Sequence, residues 1–114
     1  IDVYKRIADI RSQDDADDVV DELVDRFGEP PKSVMGLISI ALIRNSASLL
    51  GISEIRQVTD RLMLYIKDIK CKAVEKIMRE NRTRTLLNAG NKPYLAVKLF
   101  EGEKPIEILK KILE

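Results

Sequence analysis

At Gly51 the hydrophobic period of the chain changes, and this break constrains the fold more than any other feature. Before it, apolar residues recur every three or four positions, as along a helix face. After it, ISEIRQV (52–58) and LMLYIK (62–67) are rich in Ile, Val, Leu and Tyr, with Thr59 and Asp60 between them, and they read as a β-hairpin.

Three helices are predicted before the break. The first covers 2–11, with Asp2 as N-cap and Val3, Ile7 and Ile10 as its apolar stripe. The second starts near Asp14, with Ser12 as a cap. Ala16, Val19, Val20, Leu23, Val24 and Phe27 form its stripe, Gly28 supplies a left-handed stop, and Pro30-Pro31 bars continuation. The third opens near Pro31 and ends at Gly51. Its sequence VMGLISIALIRNSASLL is apolar on most sides and carries one charge, Arg44, so it is expected to be a buried spine.

Beyond the first hairpin, 68–81 returns to helical spacing through Ile69, Ala73, Val74, Ile77 and Met78. A second hairpin follows: RTLLN (84–88), a turn around Gly90 and Pro93, then YLAVKLF (94–100). Pro105 opens a last helix carrying Ile106, Leu109, Ile112 and Leu113. Strands close in pairs and helices that are not single crossovers define an α+β class. Its order is three N-terminal helices, hairpin, helix, hairpin, helix, with helices layered on a small, mostly antiparallel sheet.

A chain of 114 residues fits one domain, 1–114. Twenty basic residues against 19 acidic ones leave bulk charge neutral as to nucleic acid or membrane, so only its distribution can argue for a partner. There is no histidine, the commonest general base and metal ligand, and Cys71 is alone. A reducing, cytoplasmic location is the natural expectation. The most apolar run, 34–43, is too short to span a bilayer, so no membrane partner is expected. A start at Ile1 and an end at Glu114 inside a helical pattern suggest a piece cut from a longer protein.

The distribution of charge is uneven. DDADDVVDELVDRFG (14–28) holds seven carboxylates in fifteen residues. Asp18, Asp21, Glu22 and Asp25 fall at i, i+3, i+4 and i+7, on one face opposite the stripe. Asp14, Asp15 and Asp17 suit the positive end of the helix dipole. The later acids do not, and the like-charge pairs Asp18–Glu22 and Asp21–Asp25 each cost ~0.2–0.5 kcal/mol. A solvated face fits this spacing, and so does a docking face for basic side chains of a partner. Metal binding fits worse, because the acids are strung along a helix rather than wrapped in a loop. Paired-carboxylate catalysis fits worse still, with no nucleophile or base in view.

Between 67 and 84, seven cations oppose Asp68, Glu75 and Glu80, a net of 7 − 3 = +4. Lys72, Lys76 and Arg79 facing outward are expected of any solvated helix. The functional alternative is phosphate contact by Lys70, Lys72, Lys76, Arg79 and Arg82, weakened by having only Tyr65 nearby for stacking. Arg44 reads as an ion-pair partner or a snorkelling side chain. Cys71 reads as a small helical filler, and Tyr94 and Phe100 as residues packing the second hairpin onto a helix. No GxxxxGK[ST], GxGxxG, HExxH or CxxC occurs, and nothing positive points to an enzyme.

One set of residues is distinctive. YKRIA (4–8), then ELVDRFG (22–28) with a following proline, then Leu50-Gly51-Ile52 after an apolar helix, resembles the C-terminal domain of bacterial transcription-repair coupling factors. The resemblance implies a non-catalytic, regulatory C-terminal domain of a DNA translocase. The motor, with its ATP and Mg, would lie outside this chain, and no cofactor is expected within it. The parent would contact RNA polymerase and DNA. The domain would clamp the UvrB-like N-terminal module of the same protein and cover its UvrA-binding surface. Glu22 and Asp25 match the family's interface acids, which meet arginines of that module; Asp18 and Asp21 are added because they share the face.

Overall fold

The computed structural model describes residues 2–113. Five helices and four strands follow in the order α1 (Asp2–Ala8), α2 (Gln13–Phe27), α3 (Lys32–Leu49), β1 (Ile52–Val58), β2 (Arg61–Ile66), α4 (Lys72–Glu80), β3 (Thr85–Asn88), β4 (Tyr94–Lys98) and α5 (Pro105–Ile112). The class is α+β, and every strand pairing is antiparallel. The chain falls into two compact units, Ile1–Asn45 and Ser46–Glu114, with the division inside α3. No helix is long and apolar enough to cross a membrane.

In the first unit, α1 stops at Ala8, three residues short of the expectation from periodicity. The reason is the cap that follows. Ser12 takes an extended conformation and its Oγ accepts from Asp15 N–H at 3.1 Å, while Asp15 Oδ2 accepts from Arg11 N–H at 3.0 Å. This reciprocal arrangement satisfies orphan donors at the α2 N-terminus and requires an extended chain at the cap, so α1 cannot run on into it. The Asn45 side-chain amide donates to Arg11 O and ties the connection down.

Ile7, Ile10, Ala16, Val19, Leu23, Ile38 and Ala41 form the core of this unit. The α2 stripe is buried only as far as Leu23. Phe27 continues its direction but is 72% exposed, and Val24 is exposed as well. At ~1.5 Å per residue, α2 extends about 22 Å against about 10 Å for α1, so its last turn outruns the cover α1 provides. The expectation of a buried spine is also corrected. Ile38, Ala41 and Ile43 of α3 are buried, but Met35, Leu37, Ile40 and Leu49 are exposed. An apolar circumference shows that a helix lacks a polar face; it does not show how many sides find a partner.

In the second unit the strand order is β1-β2-β4-β3. Thr59, with φ of 52°, makes the β1–β2 turn, and its Oγ1 donates to Val58 O at 2.7 Å. A register shift between Ile52 and Glu54 marks a bulge at Ser53, whose Oγ donates to Tyr65 O at 3.3 Å. Alternation splits the sheet into two faces. Leu62, Leu64, Ile66, Leu95 and Val97 are buried on one. Within the unit, Val74 and Ile77 of α4 and Ile108, Leu109 and Ile112 of α5 are buried as well. The other face carries Arg56, Val58, Arg61, Leu86 and Lys98, which are exposed, around Met63, Tyr65 and Tyr94, which are half-buried, and Ala96, which is buried.

Helix α4 begins at Lys72 rather than Asp68. Asp68 instead makes a turn, its Oδ1 accepting from Lys70 N–H at 2.9 Å and its carbonyl from Cys71 N–H. Such a local bond competes with helix formation. Cys71 therefore stands at the N-cap with an extended backbone, and its thiol donates to Leu50 O at 3.6 Å; it is not a helical filler.

Candidate functional site

The acids of α2 divide into those already engaged and those that are not. Asp15 is held by the cap, and Asp17 accepts from Gln13 Nε2 at 3.0 Å. Glu22, half-buried, forms an ion pair with Arg6 of α1 and lies 3.7 Å from Arg26 Nε one turn along its own helix. Asp18, Asp21 and Asp25 are exposed on one face, and none has an ion-pair or hydrogen-bond partner for its carboxylate among the described residues. The four carboxylates grouped by spacing are therefore three open acids and one that ties α1 to α2. The Arg6–Glu22 pair borders an open cleft of about 260 Å³ lined also by Val3, Leu23 and Phe27.

The basic residues divide too, because the helix expected over 68–81 spans only Lys72–Glu80. Lys72, Lys76 and Arg79 share an exposed face of α4, with Lys70 in the preceding turn and Arg82 in the following one. None of the five is in an ion pair among the described residues. Arg84, counted in the same charge run, is different. Its Nη2 donates to both carboxylate oxygens of Glu103 at 2.9 and 2.8 Å, and its guanidinium sits 4.6 Å from the centre of the Phe100 ring. That guanidinium, with Phe100 N–H donating to Glu103 Oε1 at 2.7 Å, holds the Glu103 carboxyl below its usual range. Phe100 thus packs under an arginine, and Arg44 lies exposed without an ion pair among the described residues.

One constellation was not legible in the sequence. Tyr65 and Tyr94 face each other across the two central strands, with ring centres 5.6 Å apart. Lys92 Nζ lies 4.7 Å and the Arg56 guanidinium 6.0 Å from the Tyr65 ring centre. Both cations also meet Glu54, whose carboxyl Arg56 chiefly, and Lys92 as well, hold below its usual range. The signal was the strand register. Tyr65 and Tyr94 are 29 positions apart, and only the pairing of β2 with β4 makes them neighbours. No group of three or more His, Cys, Asp or Glu side chains among the described residues could hold a metal ion.

Among the described residues, five helices and one four-stranded antiparallel sheet define an α+β fold that displays charge outward. The chain belongs to the TRCF-domain family, whose model matches residues 1–78. It is 38% identical over 52 residues to the transcription-repair-coupling factor of Escherichia coli (strain K12), a match spanning 46% of this chain and 4% of that protein. The fold is that of a solved C-terminal domain of transcription-repair coupling factor. That likeness has a TM-score of 0.79 at 19% identity and covers 98% of this chain and 73% of the other.

Proposed function

We propose that this chain is the non-catalytic, autoinhibitory C-terminal domain of a transcription-repair coupling factor acting in transcription-coupled DNA repair. It would clamp the UvrB-like module of its own protein and mask the surface that UvrA binds. The observation that carries the reading is the exposed trio Asp18, Asp21 and Asp25, without a partner among the described residues, beside a Glu22 that is already engaged. Three neighbouring carboxylates on one face repel each other, and cationic side chains of a partner would relieve that repulsion. Each exposed pair so formed contributes ~0.2–1 kcal/mol. Several such pairs hold when the partner is tethered on the same chain, because tethering raises effective concentration. They still release when a competitor prefers the open state.

The ion pair of Glu22 with Arg6 supports a division of roles on this face. Glu22, engaged by Arg6 and near Arg26, would tie α1 to α2, and Asp21 and Asp25 would make the contact. The test is Asp21→Lys with Asp25→Lys in the full-length parent, measured as UvrA affinity. Tighter UvrA binding is expected. Unchanged binding, with the domain folded by circular dichroism, overturns the reading.

A second reading has its own observation. Lys72, Lys76 and Arg79 form an exposed face on α4, without ion pairs among the described residues and suited to duplex phosphates. Affinity for duplex DNA that falls steeply with salt and is lost on neutralising these residues would favour it over the clamp.

A further inference from the structure

The open face of the sheet is not explained by the clamp or by α4. Tyr65 and Tyr94 lie side by side on the central strands at one end of it. Met63 and Ala96 continue the pair of strands, and Arg61 and Lys98 face each other at the far end. Four residues of strand separate the two ends, ~13 Å at 3.3 Å per residue. Leu86 on β3 extends the apolar floor and is 70% exposed. Four cations edge this floor: Arg56 and Lys92 both pair with Glu54, Arg61 lies 4.0 Å from Asp60, and Lys98 has no ion-pair partner among the described residues, so the edge carries a net charge of 4 − 2 = +2.

We propose that this face is a platform for single-stranded nucleic acid, with bases stacking on Tyr65 and Tyr94 and phosphates meeting Arg56, Arg61, Lys92 and Lys98. The chemistry selects this occupant over others. Two adjacent aromatic rings on the middle strands of an open four-stranded sheet offer stacking surface to unpaired bases. Duplex bases are already stacked on each other and cannot use it. An acidic peptide would use the cations, but its carboxylates offer no planar ring to the tyrosines, whereas every nucleotide brings a ring and a phosphate together. The Tyr65 ring is covered in the free chain by Lys92, an exposed flexible side chain whose ammonium already rests against a π face. A base arriving on that ring displaces the ammonium towards the phosphate it brings with it. Nothing in the arrangement distinguishes the sugar, so the platform reads base and phosphate and is indifferent to ribose or deoxyribose.

The chain reports on itself. It contains no tryptophan and three tyrosines, Tyr4, Tyr65 and Tyr94. In a Tyr4→Phe chain, tyrosine emission comes from the platform alone. Adding an oligothymidylate of about ten nucleotides, within the usual site size for such surfaces, should quench that emission saturably at low salt. The log of affinity should fall against log salt with a slope of about −1.4 to −2.8, corresponding to two to four phosphate contacts. Tyr94→Leu should weaken binding about tenfold, as loss of one stacking ring does. Arg61→Ala with Lys98→Ala, both exposed and removable without touching the core, should flatten the slope by about 1.4. Oligouridylate should bind within about threefold of oligothymidylate. Absence of quenching overturns the proposal. So does binding that survives Tyr94→Leu but is lost on neutralising Lys72, Lys76 and Arg79. Equal quenching by a polyglutamate peptide overturns it in favour of an acidic protein partner, and a sugar preference above about tenfold overturns its indifference to sugar.

Discussion

Arg84 grips Glu103 with both carboxylate oxygens within 2.9 Å of one guanidinium nitrogen, and the same guanidinium lies over Phe100. The pair links the start of β3 to the turn before α5, 19 residues on. Arg84→Lys keeps the charge but cannot reproduce the planar stack on Phe100 or the guanidinium's donor geometry. A lowered thermal midpoint is expected for Arg84→Lys, and a larger loss for Arg84→Ala, read by circular dichroism melts.

The same pair gives a pH dependence of known sign. Glu103 has a folded-state pKa below its ordinary value of 4.5. A carboxyl depressed on folding stabilises the fold fully above its unfolded value, and the contribution is lost as pH falls through the lower folded one. Urea midpoints should therefore decline below about pH 4.5 and flatten partly in Glu103→Gln, leaving the share due to Glu54.

Thr59 holds a left-handed φ of 52° that a β-branched residue adopts at a cost. Thr59→Asn, which tolerates that region, should stabilise the chain by roughly 0.5–1 kcal/mol. Thr59→Val should not, since it keeps the branch and loses the hydroxyl donated to Val58 O. Chemical denaturation of the two variants separates backbone strain from hydrogen bonding.

Leu23 and Phe27 lie one turn apart on α2 but differ in burial, 8% against 72%. Leu23→Ala should cost ~2–5 kcal/mol. Phe27→Ala should stay within about 0.5 kcal/mol of the parent chain, as exposed substitutions do. Equal costs would show that the last turn of α2 is covered after all.

Removing the α2 cap by Ser12→Ala should cost about 1 kcal/mol through the orphaned Asp15 N–H. Asp15→Ala should cost a comparable amount, although Asp15 belongs to the acidic run. Asp14→Ala, in the same first turn without a cap bond, serves as the comparison by urea midpoint.

The parts of the fold that were legible in sequence were those with local causes. The change of period at Gly51, the Thr59-Asp60 turn and Pro105 at the start of α5 all act over a few residues, and each element appeared at its place. Boundaries failed where a side chain outcompeted the helix, as Ser12 did for α1 and Asp68 for α4. Burial failed where it depended on the length of a neighbour, as at Phe27, or on how many sides found cover, as along α3. On the acidic face, spacing placed Asp18, Asp21, Glu22 and Asp25 together but could not reveal that Arg6 claims Glu22, because that contact needs α1 laid beside α2. The Tyr65–Tyr94 pair was hidden for the same reason, since strand register is not written in either strand alone.

The two outer strands of the sheet have a consequence for solubility. β3 spans only Thr85–Asn88, and β1 is bent at Ser53 and bears Glu54 and Arg56. A short rim and a kinked, charged one are poor templates for a further strand from another chain. The sheet therefore ends at four strands with its free amides and carbonyls guarded. Leu86, 70% exposed, thus stands on a strand too short to offer much edge to a second chain.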